Sequence, residues 1–289
     1  MKPIRTMLAM AALLGVCVIG SALAGDGGKR GKYGGKTVWV ESVRTLNLDA
    51  AGLTAVAVKT HNGAINYDGN PGGASQIEVT VTTKGGGPDE ATAEEALAAI
   101  DVFAEAADGK AKIGWRWSTK KEKKWRAQVS FDIQGPGTID LDATTHNGAI
   151  NAQGLTGAVK VKSHNGKITV ASGGGKLDAE AHNGEINADY AGDELRLKTH
   201  NGPIAVDLAR CGAVTGNLQT HNGEIVITVG DATSADLTCK AHNGPISYDV
   251  PMANVEKSKR KLTGTIGGGG GSLAIKTHNG KIRIKGAEG

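Results

Sequence analysis

Three stretches decide the fold when laid one under another: VKVKSHNGKITV at 159–170, LDAEAHNGEINA at 177–188 and LRLKTHNGPIAV at 195–206. Each begins 18 residues after the one before it, and each carries His-Asn-Gly at the same place with Ile four residues beyond the His. Before the corner, every second residue is apolar or small, as in Val159-x-Val161-x-Ser163 and Leu195-x-Leu197-x-Thr199. After it the alternation resumes at Ile168-x-Val170. A period of two means strands with one buried face. The step from the inward Ser or Thr to the inward Ile is five residues, so the corner shifts the alternation by one. A bend containing a left-handed residue achieves such a shift, and Asn and Gly tolerate that conformation.

Working outward, the pattern takes in all eight histidines: His61, His146, His164, His182, His200, His221, His242 and His278. Each precedes Asn-Gly, and each has an Ile four residues on (Ile65, Ile150, Ile168, Ile186, Ile204, Ile225, Ile246, Ile282). From His146 the intervals are 18, 18, 18, 21, 21 and 36. A recurring period near 20 marks a coil-by-coil architecture. Asn-Gly between short strands also suits a hairpin, but adjacent hairpins would show two kinds of turn and only one is present. The expected fold is all-β: a parallel solenoid of stacked 18–21-residue coils, wound right-handed as parallel crossovers are by default. Abundant glycine (44) and scarce aromatics fit a thin core of Ile, Val, Leu and Ala.

One long interval breaks the repeat near the N-terminal end. An insert at 76–135 contains a helix over 89–99, capped by Asp89 after Pro88, with strands at Gln76 to Thr83, Ile100 to Ala106, Lys110 to Trp117 and Trp125 to Ile133. It is expected to cover the open end of the stack. The other end shows no obvious cap, since the chain stops five residues after Ile284. Domain organisation follows as a signal peptide at 1–24, a Gly-rich linker at 25–35 and one solenoid domain at 36–286. The leader rests on Lys2 and Arg5, the apolar run Met7 to Gly20 and the small residues of Ala22-Leu23-Ala24. Val16 before Cys17 is too bulky for lipoprotein processing. No later segment is long enough to cross a membrane. The chain is therefore expected in the periplasm, on the cell surface or secreted.

This layout resembles the bacterial putative-adhesin repeat domain, a β-solenoid family of otherwise unknown function. The resemblance rests on the opening Asn-Gly-x-Ile at His61 to Ile65, the helical insert, the Gly-Pro-Gly at Gly135 to Gly137, the stacked Asn-Gly corners and the glycine run Gly267 to Gly271. It covers roughly residues 36 to 286. It implies an envelope or surface scaffold and carries no reaction with it. The invariant His before Asn-Gly is a departure from that family's pattern.

Charge is balanced once Lys2 and Arg5 are set aside, 31 basic against 29 acidic side chains, which excludes steering of polyanions by the whole surface. Local patches remain. His146, His164, His182, His200, His221 and His242 should form an outward row, one per coil about 4.8 Å apart, where pairs could share a zinc, nickel or copper ion. Equally, each ring could simply cover its corner, the copies persisting by duplication. No cofactor beyond such a metal is implied. The eight asparagines are structural candidates, bonding along the axis as an internal ladder. Lys59, Lys162, Lys198, Lys240 and Lys276 recur two residues before a His, while Asp68, Asp189, Asp207 and Asp249 recur beyond the corner. These rows form a solvated face or an anionic-glycan surface.

A second candidate surface is Trp115, Arg116, Trp117, Lys120, Lys121, Lys123, Lys124, Trp125 and Arg126. Aromatic and cationic groups together suit sugars, lipid headgroups or nucleic acid, or else the tryptophans pack on the helix. No nucleic-acid fold signature accompanies them. Enzymatic readings find little support. Every His is committed to a corner, Cys239 holds an inward strand position, and carboxylates scatter over several faces. The sequence leaves open whether Cys211 and Cys239 pair. The function expected is a non-catalytic envelope scaffold for a glycan, lipid surface or protein partner. The alternatives are a divalent-metal module using the His row and a carbohydrate-active enzyme.

Overall fold

A computed structural model describes residues 37–70 and 73–287; the leader at 1–24 and the linker at 25–35 lie outside the described residues. The alternation around each His-Asn-Gly becomes two strands per coil. Val159–Asn165 lies in one sheet, and Ile168–Ser172, past the corner, lies in a second. The next coil stacks on it in parallel register. Val159, Val161 and Asn165 face Leu177, Ala179 and Asn183, while Ile168 and Val170 face Ile186 and Ala188. Like residues thus form columns along the axis, and the apolar columns of the two sheets meet in one continuous core. All eight corner isoleucines are buried in it, Ile246 the least completely at 5% exposure. The 21-residue coils keep the same strand-corner-strand unit. Their extra residues lie in the connections at 209–214 and 230–234, on the edge opposite the corners.

The parallel rule holds for the coils and gives way at both ends. Val38–Asp49, Gln76–Gly87 and Arg126–Pro136 pair antiparallel, as do Ile100–Ala107 and Lys110–Trp117. The insert does more than cap. Lys110–Trp117 also runs parallel to Ala55–Lys59, and Arg126–Pro136 runs parallel to Ile65–Asn70. Together with the 118–125 loop they make one further, degenerate coil. The helix is Glu90–Ala98, with the Asp89 carboxylate accepting the Thr92 N–H at 2.8 Å. Ala93 and Ala96 are buried where it lies on the end strands of one sheet. It approaches so closely that a Cβ on Gly85 would collide with the backbone of Ala93 and Leu97.

Two expectations about the far end need correction. That end is covered by the antiparallel hairpin Ala253–Lys257 and Lys261–Ile266, paired onto Ala235–Asn243. The last coil in sequence is also not last in space. Ser272–Asn279 sits between Thr215–Asn222 and Ala235–Asn243, and Ile282–Gly286 sits between Ile225–Val229 and Ile246–Tyr248. The connection after Val229 skips one layer, and the final coil fills it.

Candidate functional site

The corner edge is built from four columns that the His-Asn-Gly unit generates at once. The first is inward: at five of the eight corners the Ser or Thr before His donates its hydroxyl to the carbonyl of the corner glycine one layer back, while Thr60 donates to Val129 O and Ala181 and Ala241 carry no hydroxyl. Thr145 reaches Gly63 at 3.0 Å, Ser163 reaches Gly148 at 2.9 Å, and Thr199 reaches Gly184 at 2.9 Å. Each such bond ties a coil to the corner backbone of its neighbour. Sequence reasoning missed this role, although the recurrence of Ser or Thr before His was its signal. The second column is the asparagines. Asn165 Nδ2 donates to Asn147 Oδ1 at 2.7 Å and Asn183 Nδ2 to Asn165 Oδ1 at 2.9 Å, and the chain of amides runs from Asn62 to Asn243. Most of these residues are solvent-exposed, so the ladder is external rather than internal.

The third column corrects the reason for the glycine. Only Gly63 and Gly244, at the two ends, have positive φ, +147° and +152°. The glycines between them do not, so no left-handed residue turns those corners. A Cβ on Gly148, Gly166, Gly184, Gly202, Gly223 or Gly280 would instead collide with the carbonyl oxygen of the glycine below it. Close approach of stacked backbone, not dihedral freedom, demands glycine there.

The fourth column is the imidazoles. All eight are exposed and stack face to face, with centroids 4.6–5.1 Å apart and planes within 8° of parallel. Their order in space is His61, His146, His164, His182, His200, His221, His278, His242. The six expected residues do share a row, but His278 separates His221 from His242, and His61 extends the other end. Desolvation, then the charges of His146 and His182, hold the His164 pKa below its ordinary value. Desolvation, then His242, His221 and Lys276, lower that of His278. For metal binding the spacing is informative. Two ring nitrogens on one zinc each sit about 2.0–2.1 Å from it, less than the stack provides, and parallel rings aim their lone pairs side by side. Sharing an ion requires two rings to rotate toward each other. Among the described residues no group of three or more His, Cys, Asp or Glu side chains is placed to hold a metal ion.

The charged rows are ion-paired along the middle of the stack, whereas Lys59, Lys240 and Lys276 form no salt bridge among the described residues. Glu180 lies between Lys162 (3.1 Å) and Lys198 (3.7 Å), Lys167 pairs with Glu185, and Lys281 with Glu224. Asp189 pairs with Arg210 at 2.6 Å and Asp249 with Arg283 at 3.5 Å. Asp207 accepts the Ala209 N–H, and Asp68 lines a shallow cleft with Glu78, Asp132 and Gln134 on the outer face of one sheet. Cys211 and Cys239 are free, buried thiols; burial pushes their pKa up to about 11 and about 12.

The tryptophan-lysine surface separates into two parts. Trp125 is buried against Ala96 and Ala99, and Trp117 packs between it and Trp115 at 5.6 and 5.5 Å. Half-buried Trp115 donates from Nε1 to Thr60 Oγ1 at 3.2 Å. Arg116 is engaged by Asp101 at 2.8 Å and lies over Phe103, and Arg126 donates to the carbonyls of Lys123 and Trp125. The aromatic faces are spent on packing, Trp125 and Trp117 against Ala96 and Ala99 and Trp115 against the main core. Lys120, Lys121, Lys123 and Lys124 alone remain as an exposed cationic loop. Among the described residues no helix is long and apolar enough to cross a membrane.

Among solved structures, the chain is similar to a putative cell adhesion protein from Clostridium sporogenes, at 10% identity and TM-score 0.35, with 86% of this chain and 100% of that one covered. It is also similar to a putative adhesin from Bacteroides fragilis (12%, TM-score 0.36, 85% and 97%). A third likeness is to a putative lipid binding protein from Parabacteroides distasonis (10%, TM-score 0.31, 85% and 97%). No curated protein matches the chain. The family model described as Toastrack DUF4097 matches residues 44–229. That match takes in more than half of the sequence, and the chain belongs to the Toastrack DUF4097 family.

Proposed function

We propose that this chain is an exported, non-catalytic binding scaffold of the cell envelope that engages its partner lengthwise along the corner edge. The observation that carries the proposal is the unbroken file of eight exposed imidazoles on adjacent coils, a surface that the fold does not need covered or filled. Hydroxyl, amide and glycine columns already hold the corner, so the rings are free to serve a ligand. The leader-like N-terminus supports export. Ion-paired carboxylates and buried, hard-to-ionise thiols support a role in binding rather than turnover. The test is co-sedimentation of the untagged mature chain with isolated cell envelopes. A variant with His164, His182, His200 and His221 changed to Gln should keep its circular dichroism and lose roughly tenfold in affinity. Unchanged sedimentation of that variant would sink the proposal.

A second reading is favoured by the same row: coordination of a divalent transition metal by neighbouring imidazoles turned toward each other. Calorimetry with zinc and nickel on untagged protein should then show weak binding that falls off steeply with acid. Changing His164 and His182 to Gln should reduce the stoichiometry. No heat in either protein would dismiss the metal.

A further inference from the structure

The imidazole row does not end in neutral structure. At one end, Lys110–Trp117 runs parallel to Ala55–Lys59, with Ile113 opposite Val58. The loop that follows therefore turns at the same edge as the His-Asn-Gly corners. Asn62 at the foot of the amide ladder donates to Ala127 O at 3.2 Å, on the strand leaving that loop. The loop carries Lys120, Lys121, Lys123 and Lys124, all exposed, against the one acid Glu122. At the other end, Lys261 faces Lys240 across an antiparallel pair, and Ala241 N–H donates to Arg260 O at 3.1 Å. The hairpin tip, closed by Ser258 N–H to Lys261 O at 2.8 Å, thus stands beside the His242 corner. It carries Lys257, Lys259, Arg260 and Lys261, again all exposed.

These two clusters differ from the lysines beside the middle of the row. Lysines beside the middle of the row are neutralised: Glu180 serves Lys162 and Lys198, Glu185 serves Lys167, and Glu224 serves Lys281. None of the eight end cations forms a salt bridge among the described residues. Lys124 does feel the Asp89 carboxylate, and Lys257 lies over the Tyr248 ring at 5.3 Å. Lys59, Lys240 and Lys276 add further positive charge on the sheet face next to the row. The edge is therefore a straight track of seven steps, roughly 34 Å at about 4.8 Å per strand, with fixed positive charge at each end and titratable charge between.

Resting on the scaffold reading above, we propose that the corner edge is a binding track for a linear acidic polysaccharide, clamped at both ends by the cationic loops and gripped more tightly along the imidazole row as pH falls. A small anion would not use both ends. A nucleic acid would want exposed aromatic platforms, and Trp115, Trp117 and Trp125 are turned inward. A bilayer would want apolar side chains to insert. The residue following Gly in the corners is Ala64, Ala149, Pro203 or Pro245, or else one of the charged residues already described. Among the described residues, the exposed large hydrophobics, Val43 and Val255, lie outside the corner row. Desolvation, then neighbouring rings, hold His164 and His278 toward the neutral form. A polyanion laid over them reverses that balance, so proton uptake and binding reinforce each other.

The probe is linear polygalacturonate long enough to span the row, titrated calorimetrically into the untagged mature chain, with dextran as the neutral polymer. Anionic phosphatidylglycerol vesicles form a parallel arm. At about pH 5.5, affinity should be roughly tenfold tighter than at about pH 7.5, where histidine is neutral. Added salt should weaken binding. Changing His164, His182, His200 and His221 to Gln removes half of the row and should markedly reduce the pH dependence while leaving weaker binding. Changing Lys120, Lys121, Lys123 and Lys124 to Gln, or Lys257, Lys259, Arg260 and Lys261 to Gln, should weaken it at both pH values. Equal affinity at both pH values, binding of dextran as tight as of polygalacturonate, or binding to vesicles but not to polygalacturonate would overturn the proposal. Should polygalacturonate fail while envelope sedimentation stays histidine-dependent, only the polyanion falls. Histidine-independent sedimentation would remove the scaffold reading beneath it.

Discussion

At the corner, glycine does a job that its usual association with turns conceals. Asn-Gly suggested a left-handed bend, yet the interior corners turn without positive φ. What excludes a side chain is the carbonyl of the glycine one coil below. The distinction is testable by a paired substitution. Gly184→Ala forces a methyl group into backbone that cannot retreat without breaking its ladder, and should cost about 3 kcal/mol. Gly212→Ala meets nothing within 4 Å and should stay within about 0.5 kcal/mol of the parent. Urea denaturation read by circular dichroism would compare them. Matching midpoints would mean that the stacked corners are looser than the geometry describes.

The last coil is the element whose placement has the largest consequence. Ser272–Asn279 and Ile282–Gly286 are clasped on both sides by coils that precede them in sequence. Removing everything after Gly271 leaves two parallel edges facing each other across an empty layer in each sheet. Unpaired edges recruit strands. The truncated chain should therefore self-associate, with light scattering after gel filtration reporting dimers and larger species where the full chain elutes as one. A truncated chain that stays monomeric and keeps its thermal midpoint would show that the neighbouring coils close the gap by themselves. The sequence interval of 36 residues announced extra structure between His242 and His278. It did not announce the insertion, because every coil presents the same Asn, Gly and Ile columns and any coil could stack on any other.

Across the whole molecule, the imidazoles stack as one continuous row. In the folded chain His164 and His278 are held below the ordinary histidine value by desolvation and by their neighbours. The unfolded chain, with rings near 6.5, takes up protons first as pH falls. Stability should therefore be at its plateau above about pH 7 and decline as pH drops through 6.5 toward the lowered folded values. Thermal melts at low salt between about pH 7.5 and pH 5 should show the midpoint falling. The double variant His164→Gln with His278→Gln should flatten that slope. A midpoint indifferent to pH, or one that rises with acid, would mean that the rings separate or find anionic partners of their own.

The coil unit, its buried isoleucines, the helix at Glu90–Ala98 and the existence of an imidazole row were legible from residue spacing alone. Each depends on what lies within a few residues: a period of two, a capping Asp before a helical run, a His always one step outward from a buried Thr, Ser or Ala. The order of the coils, the double use of the insert as cap and coil, and the inward turn of Trp115, Trp117 and Trp125 were not legible. Nor was the delivery of two cationic loops to opposite ends of one edge. Those features depend on pairings between distant segments, such as Asn62 with Asn147 or Lys240 with Lys261. Local alternation sets which face of a strand is buried, but only packing against the other strands decides which strand lies beside it.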